Sequence, residues 1–175
     1  SALVQMRARF PLPDAMHWIL ALSAILASPA HAAGNQALAS PPRVVTLGDS
    51  LTSGRGIGRD SAYPSVLQMR IDDEGLEFEV VNAGVSGATS ADGARRVGAA
   101  LQGDVRVLVI ALGANDGVRG VPVPRMKANL SGIIKEAQSR GIAVLLCGMD
   151  ALPLYGWNYT VEFHKAFEEL AQEFQ

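Results

Sequence analysis

The chain has 175 residues, of which 49% are hydrophobic and 18% are charged, and its formal net charge at pH 7 is −2. This length and balance are typical of one globular domain and exclude a disordered or collagen-like chain. The slightly acidic charge offers no basic excess for binding nucleic acid, and the one cysteine, Cys147, excludes an internal disulfide and a cysteine-cluster metal site.

The first forty residues differ in composition from the rest of the chain. Their charged residues are Arg7, Arg9 and Asp14, and an apolar run over 18–27 is followed by Ala-His-Ala-Ala at 30–33. A short positive region, an apolar run of this length and a small-x-small exit are typical of a secretory signal peptide. The run is shorter than the ~20 residues that a transmembrane helix needs.

This composition divides the chain into three predicted segments. Residues 1–33 comprise the signal peptide and upstream residues, residues 34–42 form a linker, and residues 43–175 form the folded domain. Cleavage is expected after Ala32 or Ala33. We therefore expect a periplasmic or secreted protein that keeps no stable membrane anchor once the signal has been removed.

From residue 43 onward, short apolar runs alternate with longer helical patterns. Runs rich in Val, Ile and Leu predict strands that are covered on both faces, at 43–47, 78–81, 105–112 and 143–147. Apolar residues spaced i, i+3 or i+4 predict helices over 63–71, 91–101, 126–137 and 163–174. This alternation predicts a three-layer α/β domain with a mainly parallel sheet, in which ligands bind beyond the carboxyl ends of the strands.

The loop after the first predicted strand places a serine at a sharp strand-to-helix turn. It reads Gly-Asp-Ser-Leu-Thr-Ser-Gly over 48–54. At such a turn Ser50 can present its hydroxyl above the sheet, beside helix N-terminal amides that can meet an anion. Alternatively, Asp49 or Ser50 only caps the following helix. Thr52 replaces the second glycine of a Gly-x-Ser-x-Gly elbow, and no lysine follows as in a phosphate-binding loop.

Two further loops follow the second and third predicted strands. Gly84, in the Asn-Ala-Gly of 82–84, either brings a backbone N–H close to a ligand or is an ordinary turn glycine. Asn115, in the Gly-Ala-Asn-Asp-Gly of 113–117, either offers a side-chain amide donor or tolerates an unusual turn conformation.

Serine, glycine and asparagine at three consecutive strand ends resemble the SGNH branch of the GDSL hydrolases. The matching blocks are 48–51, 82–84 with 86–90, and 113–120, and the resemblance spans about residues 43–175. It implies a three-layer α/β/α, flavodoxin-like fold. It also implies a monomeric serine esterase of the arylesterase, lysophospholipase or acyl-CoA thioesterase type, which acts on a small acyl ester or thioester and needs no cofactor or metal.

The resemblance implies a role for each of these residues. Ser50 is the nucleophile that forms an acyl-enzyme. The oxyanion hole consists of the Ser50 N–H, the Gly84 N–H and the Asn115 side-chain amide. The implied substrate-binding residues lie on a mobile loop along the acyl chain: Asp116, Gly117 and Val118.

A serine nucleophile needs a general base, and the sequence offers no clear candidate for one. In the resembled family it is the histidine of a C-terminal Asp-x-x-His, whereas this chain has His17 and His31 in the predicted leader and His164 on the flank of the last predicted helix. We therefore expect the catalytic histidine and aspartate to be absent, and the chain to be an inactive fragment without its last strand and helix. The strand at 143–147 would then be an exposed apolar edge.

Two other functions stay open at this point. A carbohydrate acetylesterase on the same fold would use Ser50, Gly84 and Asn115 in a more polar cleft. A non-catalytic binding module would keep the pocket without a base.

Overall fold

The computed structural model describes the backbone of residues 3–6 and the whole of residues 40–175. Within these residues five strands form one sheet in the order β1-β5-β4-β2-β3, and every neighbouring pair is parallel. The strands are Leu3–Met6 (β1), Arg43–Gly48 (β2), Glu79–Gly84 (β3), Val105–Ala111 (β4) and Ala143–Cys147 (β5). The predicted α/β fold with a mainly parallel sheet is confirmed.

Helices follow β2, β3, β4 and β5 along the chain, as parallel strands require. Short 3₁₀ turns lie at Arg59–Ser61 and Pro153–Tyr155. The predicted amphipathic patterns fall on α2, α3, α5 and α6 of the following list, whereas α1 and α4 are too short to show a pattern. The α-helices are Ser50–Ser53 (α1), Tyr63–Asp73 (α2), Ser90–Ala100 (α3), Ala114–Val118 (α4), Val123–Ser139 (α5) and Trp157–Glu173 (α6).

Two apolar cores, one on each face of the sheet, make the three layers. Alternate residues of a strand point to opposite faces. Accordingly, Leu108 and Ile110 of β4 join the larger core with α3, α5 and α6, while Val107 and Val109 join the smaller core with Ile71 of α2. Burial on both faces explains why β2 and β4 read as continuous apolar runs rather than as alternating ones.

In the chain that retains residues 3–6 the edge of β5 is paired, which contradicts the exposed edge predicted from the sequence. Cleavage after Ala32 or Ala33 would remove this partner strand. Leu3–Met6 runs parallel to β5, with Leu3 opposite Val144 and Met6 opposite Cys147. This pairing uses the hydrogen-bonding groups that an edge strand would otherwise present. The strand comes from residues that precede the predicted signal, so no pattern near residue 143 indicated its partner.

The rest of the predicted leader, including the apolar run at 18–27, the two histidines at 17 and 31 and most of the linker, lies outside the described residues. In the part of the chain that the structure describes, no helix is long and apolar enough to cross a membrane.

Candidate active site

Ser50 lies at the turn between helix α1 and strand β2, which pairs with β4 on one side and β3 on the other. Asp49 is the N-cap of this helix, and its Oδ1 accepts a hydrogen bond from the Leu51 N–H at 2.9 Å. The turn is tight, because a Cβ atom on Gly48 would lie 1.8 Å from Thr52 Oγ1. Asp49 therefore performs the capping, and the half-buried Ser50 keeps a hydroxyl that makes no hydrogen bond within residues 40–175.

Asp49 also brings the first and third loops together. Its side chain is 1% exposed, and Oδ2 accepts from Asn115 Nδ2 at 3.0 Å. The same amide nitrogen donates to the Ala88 carbonyl at 3.0 Å. Asn115 is thereby fixed next to the residue that precedes Ser50. Sequence reasoning considered Asp49 only as a cap and missed this second contact, which spans 66 positions of the chain.

Gly84 does not offer a free N–H in this arrangement, which contradicts its predicted role. Its N–H donates to Asn82 Oδ1 at 2.9 Å. A Cβ at this position would lie 2.4 Å from the Ser53 nitrogen, so glycine is needed for β3 to pack against α1. The structure gives Gly84 a packing role.

The turn that follows β3 has a free donor at Gly87. This residue has φ +79°, a conformation that favours glycine, and its N–H makes no hydrogen bond within the described residues. Its carbonyl accepts from Arg119 Nη2 at 2.8 Å. The preceding residue, Ser86, lies with its hydroxyl 3.1 Å from that of Ser53 on α1. These contacts hold the Gly87 turn beside the helix that carries Ser50.

The predicted substrate residues Asp116 and Gly117 are buried, which is a second correction. Asp116 is 0% exposed and its two carboxylate oxygens accept from the Ser90 N–H at 2.7 Å and the Ser90 hydroxyl at 2.6 Å. Gly117 packs near Phe163 of α6. Both residues belong to α4, which turns them towards the interior. Val118, at 58% exposure, is the member of the predicted set that faces solvent.

The segment predicted as a mobile loop is tied to the C-terminal part of the domain. The Tyr155 hydroxyl donates to the Val118 carbonyl at 3.0 Å, and the Tyr159 hydroxyl donates to the Val121 carbonyl at 2.9 Å. A Cβ on Gly120, which has φ +61°, would lie within 2.6 Å of the Tyr155 ring. These contacts order the segment from α4 to the start of α5.

We expect Asp116→Ala to lower the free energy of unfolding by about 2 to 4 kcal/mol, because it removes two charge-assisted hydrogen bonds and leaves the Ser90 donors unpaired in the interior. Urea unfolding measures the change, and Asp104→Ala, which removes an exposed carboxylate paired with Arg106, is the control. Equal midpoints for the two variants would contradict the structural role of Asp116.

His164 of α6 forms a pair with Asp150, which follows β5. Its Nδ1 lies 2.6 Å from Asp150 Oδ1, and its Nε2 lies 3.6 Å from Glu168 Oε1. The imidazole is therefore flanked by two carboxylates on an exposed helix surface. Within residues 40–175 no imidazole is hydrogen-bonded to the Ser50 hydroxyl.

Cys147 lies at the end of β5. Burial raises the pKa of its thiol to about 11, because the thiolate is poorly solvated there. The thiol is therefore protonated near neutral pH and unreactive. In the described residues, no group of three or more His, Cys, Asp or Glu side chains is placed to hold a metal ion.

Comparison with known proteins identifies the family of this chain. The GDSL-like Lipase/Acylhydrolase family matches residues 46–175. The chain belongs to this family. It is 35% identical over 136 residues to "Esterase TesA" of Pseudomonas aeruginosa, covering 77% of this chain and 68% of that protein. It is 32% identical to "Thioesterase 1/protease 1/lysophospholipase L1" of Escherichia coli K12, covering 78% of this chain and 64% of that protein.

Solved structures place this family member among esterases with the same fold. AlinE4, an SGNH-hydrolase family esterase, is 34% identical, has a TM-score of 0.73 and covers 82% of this chain and 75% of its own. The psychrotrophic esterase EstA of Pseudoalteromonas sp., solved with monoethylphosphonate as inhibitor, is 32% identical with a TM-score of 0.72, covering 75% of this chain and 73% of its own. The resemblance seen in the sequence is confirmed, and the chain spans about two thirds of the length of these curated relatives.

Proposed function

We propose that this chain carries the nucleophile and oxyanion hole of a serine esterase, which hydrolyses acyl esters or thioesters through an acyl-enzyme on Ser50. The observation that carries the proposal is the contact between Asp49 and Asn115. It places a side-chain amide next to the turn whose serine hydroxyl is free of hydrogen bonds. A hydroxyl at a helix N-terminus with a fixed amide donor beside it suits attack on a carbonyl carbon.

In this mechanism the Ser50 oxygen bonds to the carbonyl carbon while its proton passes to a base. The carbonyl oxygen becomes an oxyanion, the alcohol or thiol leaves with a proton, and water then releases the acid from Ser50. Because no imidazole in residues 40–175 bonds to the hydroxyl, we propose that the base is a histidine, oriented by an aspartate, that lies outside these residues.

The oxyanion would be met by Asn115 and by Gly87 rather than Gly84. The amide of Asn115 is held by Asp49 and Ala88, and an oxyanion accepts a hydrogen bond more strongly than the neutral Ala88 carbonyl does. It would therefore draw one Nδ2 hydrogen away from that carbonyl. The Gly87 N–H needs no such exchange, because it has no partner within the described residues.

Exposed apolar side chains near the turn favour an acyl chain over a sugar as the substrate's acid part. Leu51 follows the nucleophile, Val85 is tied to Gly48 through a 3.0 Å backbone hydrogen bond, and both are largely exposed. Val118 adds a third such side chain close to Asn115 along α4. Contact with these residues removes apolar surface from water, which supplies binding energy for an aliphatic acyl group.

The proposal is tested on the full-length protein with a fluorophosphonate and a substrate panel. We expect the Ser50 oxygen to displace fluoride from phosphorus, so that mass spectrometry finds the adduct on the peptide containing Ser50. In the panel, medium-chain p-nitrophenyl esters should be hydrolysed faster than acetylated xylo-oligosaccharides.

Faster turnover of the acetylated sugars would favour the carbohydrate acetylesterase instead. If the protein shows neither labelling nor turnover, it is a non-catalytic binding module and the esterase proposal is overturned.

We also infer that the enzyme acts in the periplasm or outside the cell, on the basis of the predicted signal peptide. N-terminal sequencing of the protein from a periplasmic extract should begin at Ala33 or Gly34. An N-terminus that retains residues 18–27 would contradict export by cleavage.

A further inference from the structure

A pocket of about 460 Å³ lies beside the turn that carries Gly87. One wall is the loop 85–88, and the other is the first part of α3, with Asp92, Arg95 and Arg96. Arg119 reaches the same loop, since its guanidinium donates to the Gly87 carbonyl. Three guanidinium groups therefore surround a loop in a chain whose overall charge is negative.

The Asp92 carboxylate, which lines this pocket, already has hydrogen-bond partners. Asp92 accepts from the Thr89 N–H at 2.8 Å and from the Thr89 hydroxyl at 2.7 Å, which forms the capping box of α3, and it also pairs with Arg95. The hydrogen bond from the Thr89 N–H, followed by that from its hydroxyl, lowers the pKa of Asp92, so this group is ionised at neutral pH. One negative charge thus faces three positive ones.

The other two guanidinium groups bind only neutral oxygens. Arg96 donates to the carbonyls of Ala83 and Gly48, and Arg119 donates to that of Gly87. Arg96 Nε is buried and has no hydrogen-bond acceptor among the described residues. A buried donor of a charged group is costly to leave unpaired, and guanidinium groups match the oxygens of a phosphate with parallel hydrogen bonds. An anion in this pocket would balance the excess charge.

The pocket adjoins the site of the proposed reaction. The Gly48 carbonyl that accepts from Arg96 Nη2 at 2.7 Å lies two residues before Ser50, and Ser86 of the pocket wall contacts Ser53 of α1. Gly87, whose N–H is the proposed oxyanion donor, is one of the residues that line the pocket. A group bound here would be part of a substrate whose carbonyl lies at Ser50.

We infer that this pocket is a subsite for a phosphate group carried by the substrate. Arg95 and Arg119 supply charge at its exposed side, and Arg96 supplies charge from within. The inference rests on the proposed esterase function and extends it, because it makes the enzyme select phosphate-bearing esters or thioesters over neutral ones with the same acyl chain. A glycerol phosphate ester and a thioester of a phosphate-bearing carrier would both present this group.

Matched substrates in the full-length protein test the subsite and separate these two sources. Octanoyl-glycerol phosphate is compared with mono-octanoylglycerol, and octanoyl-coenzyme A with the octanoyl thioester of N-acetylcysteamine. In each pair the neutral member lacks the phosphates. We expect kcat/KM to favour the phosphate-bearing member of at least one pair, mainly through a lower KM, and the pair that shows the preference identifies the source.

Arg95→Gln should reduce that preference about twofold to fivefold, the scale of an exposed charge pair, and adding Arg119→Gln should reduce it further. Arg106→Gln is the control, because it also removes an exposed guanidinium paired with an aspartate, at the opposite end of β4. High salt should weaken the preference of the unaltered enzyme. An equal preference in Arg95→Gln and Arg106→Gln would overturn the subsite.

Direct binding keeps the test independent of turnover. Titration of the protein with inorganic phosphate should shift the amide resonances of residues 85–88 and the Nε resonance of Arg96, and less so in Arg95→Gln. If none of the four substrates is hydrolysed, the result counts against the esterase proposal. Hydrolysis without phosphate preference and without these shifts would overturn the subsite alone.

Discussion

Ser50→Ala is expected to lower kcat for ester hydrolysis by about 10⁴- to 10⁶-fold in the full-length protein, because it removes the atom that bonds to the carbonyl carbon. The remaining rate would reflect binding and oxyanion stabilisation without a nucleophile. Single-turnover measurements with a p-nitrophenyl ester give the change, and the fluorophosphonate adduct should disappear.

Ser53→Ala is the matched control for this variant. Ser53 lies on the same short helix, and its hydroxyl contacts the Ser50 carbonyl and the Ser86 hydroxyl. Its replacement perturbs the same turn without touching the reacting atoms, so kcat should change by no more than a few-fold. Equal losses in both variants would show that the turn, and not the Ser50 oxygen, controls the rate.

Asn115→Ala is expected to lower kcat by about 10²- to 10³-fold with little change in KM, because its amide stabilises charge that exists only in the transition state. The variant also leaves Asp49 Oδ2 without its donor, which should cost some stability. Urea unfolding measured alongside kinetics separates the two effects.

Asn129→Ala is the control for a lost asparagine amide. Asn129 Nδ2 donates to the Ser90 hydroxyl at 2.9 Å, within the buried network around Asp116. This variant should destabilise the fold with a far smaller effect on kcat. A fall in kcat for Asn115→Ala that matches its loss of folded protein would rule out an oxyanion role. Asp49→Asn, which weakens the hold on Asn115, should show a smaller fall in kcat than Asn115→Ala.

Local patterns predicted the layers and the position of the nucleophile. Apolar runs without alternation indicated strands buried on both faces, and β2, β4 and β5 have cores on either side as expected. The serine block predicted a strand-to-helix turn, because Gly48 tolerates the close approach of Thr52 there. Such features depend on a few neighbouring residues and are therefore visible in the sequence.

Side-chain roles at the third loop were not predictable from neighbouring residues. Asn115 and Asp116 are adjacent in sequence. The Asn115 amide donates to Asp49, whereas the Asp116 carboxylate is buried against Ser90. The difference arises because α4 is helical, which turns adjacent residues to different faces of the helix. The five residues of this helix are too few to show an apolar period.

The sequence by itself therefore determined the fold class, the family and the serine that follows β2, since each depends on continuous stretches of residues. Only the tertiary structure decided which donors are free. Gly84 ends β3 and Gly87 lies in the turn that follows it, but the Gly84 N–H donates to Asn82, whereas the Gly87 N–H has no partner in the described residues. Tertiary structure also assembled Arg95, Arg96 and Arg119 around that turn, because parallel strands bring the loops at their carboxyl ends together however far apart they lie in the chain.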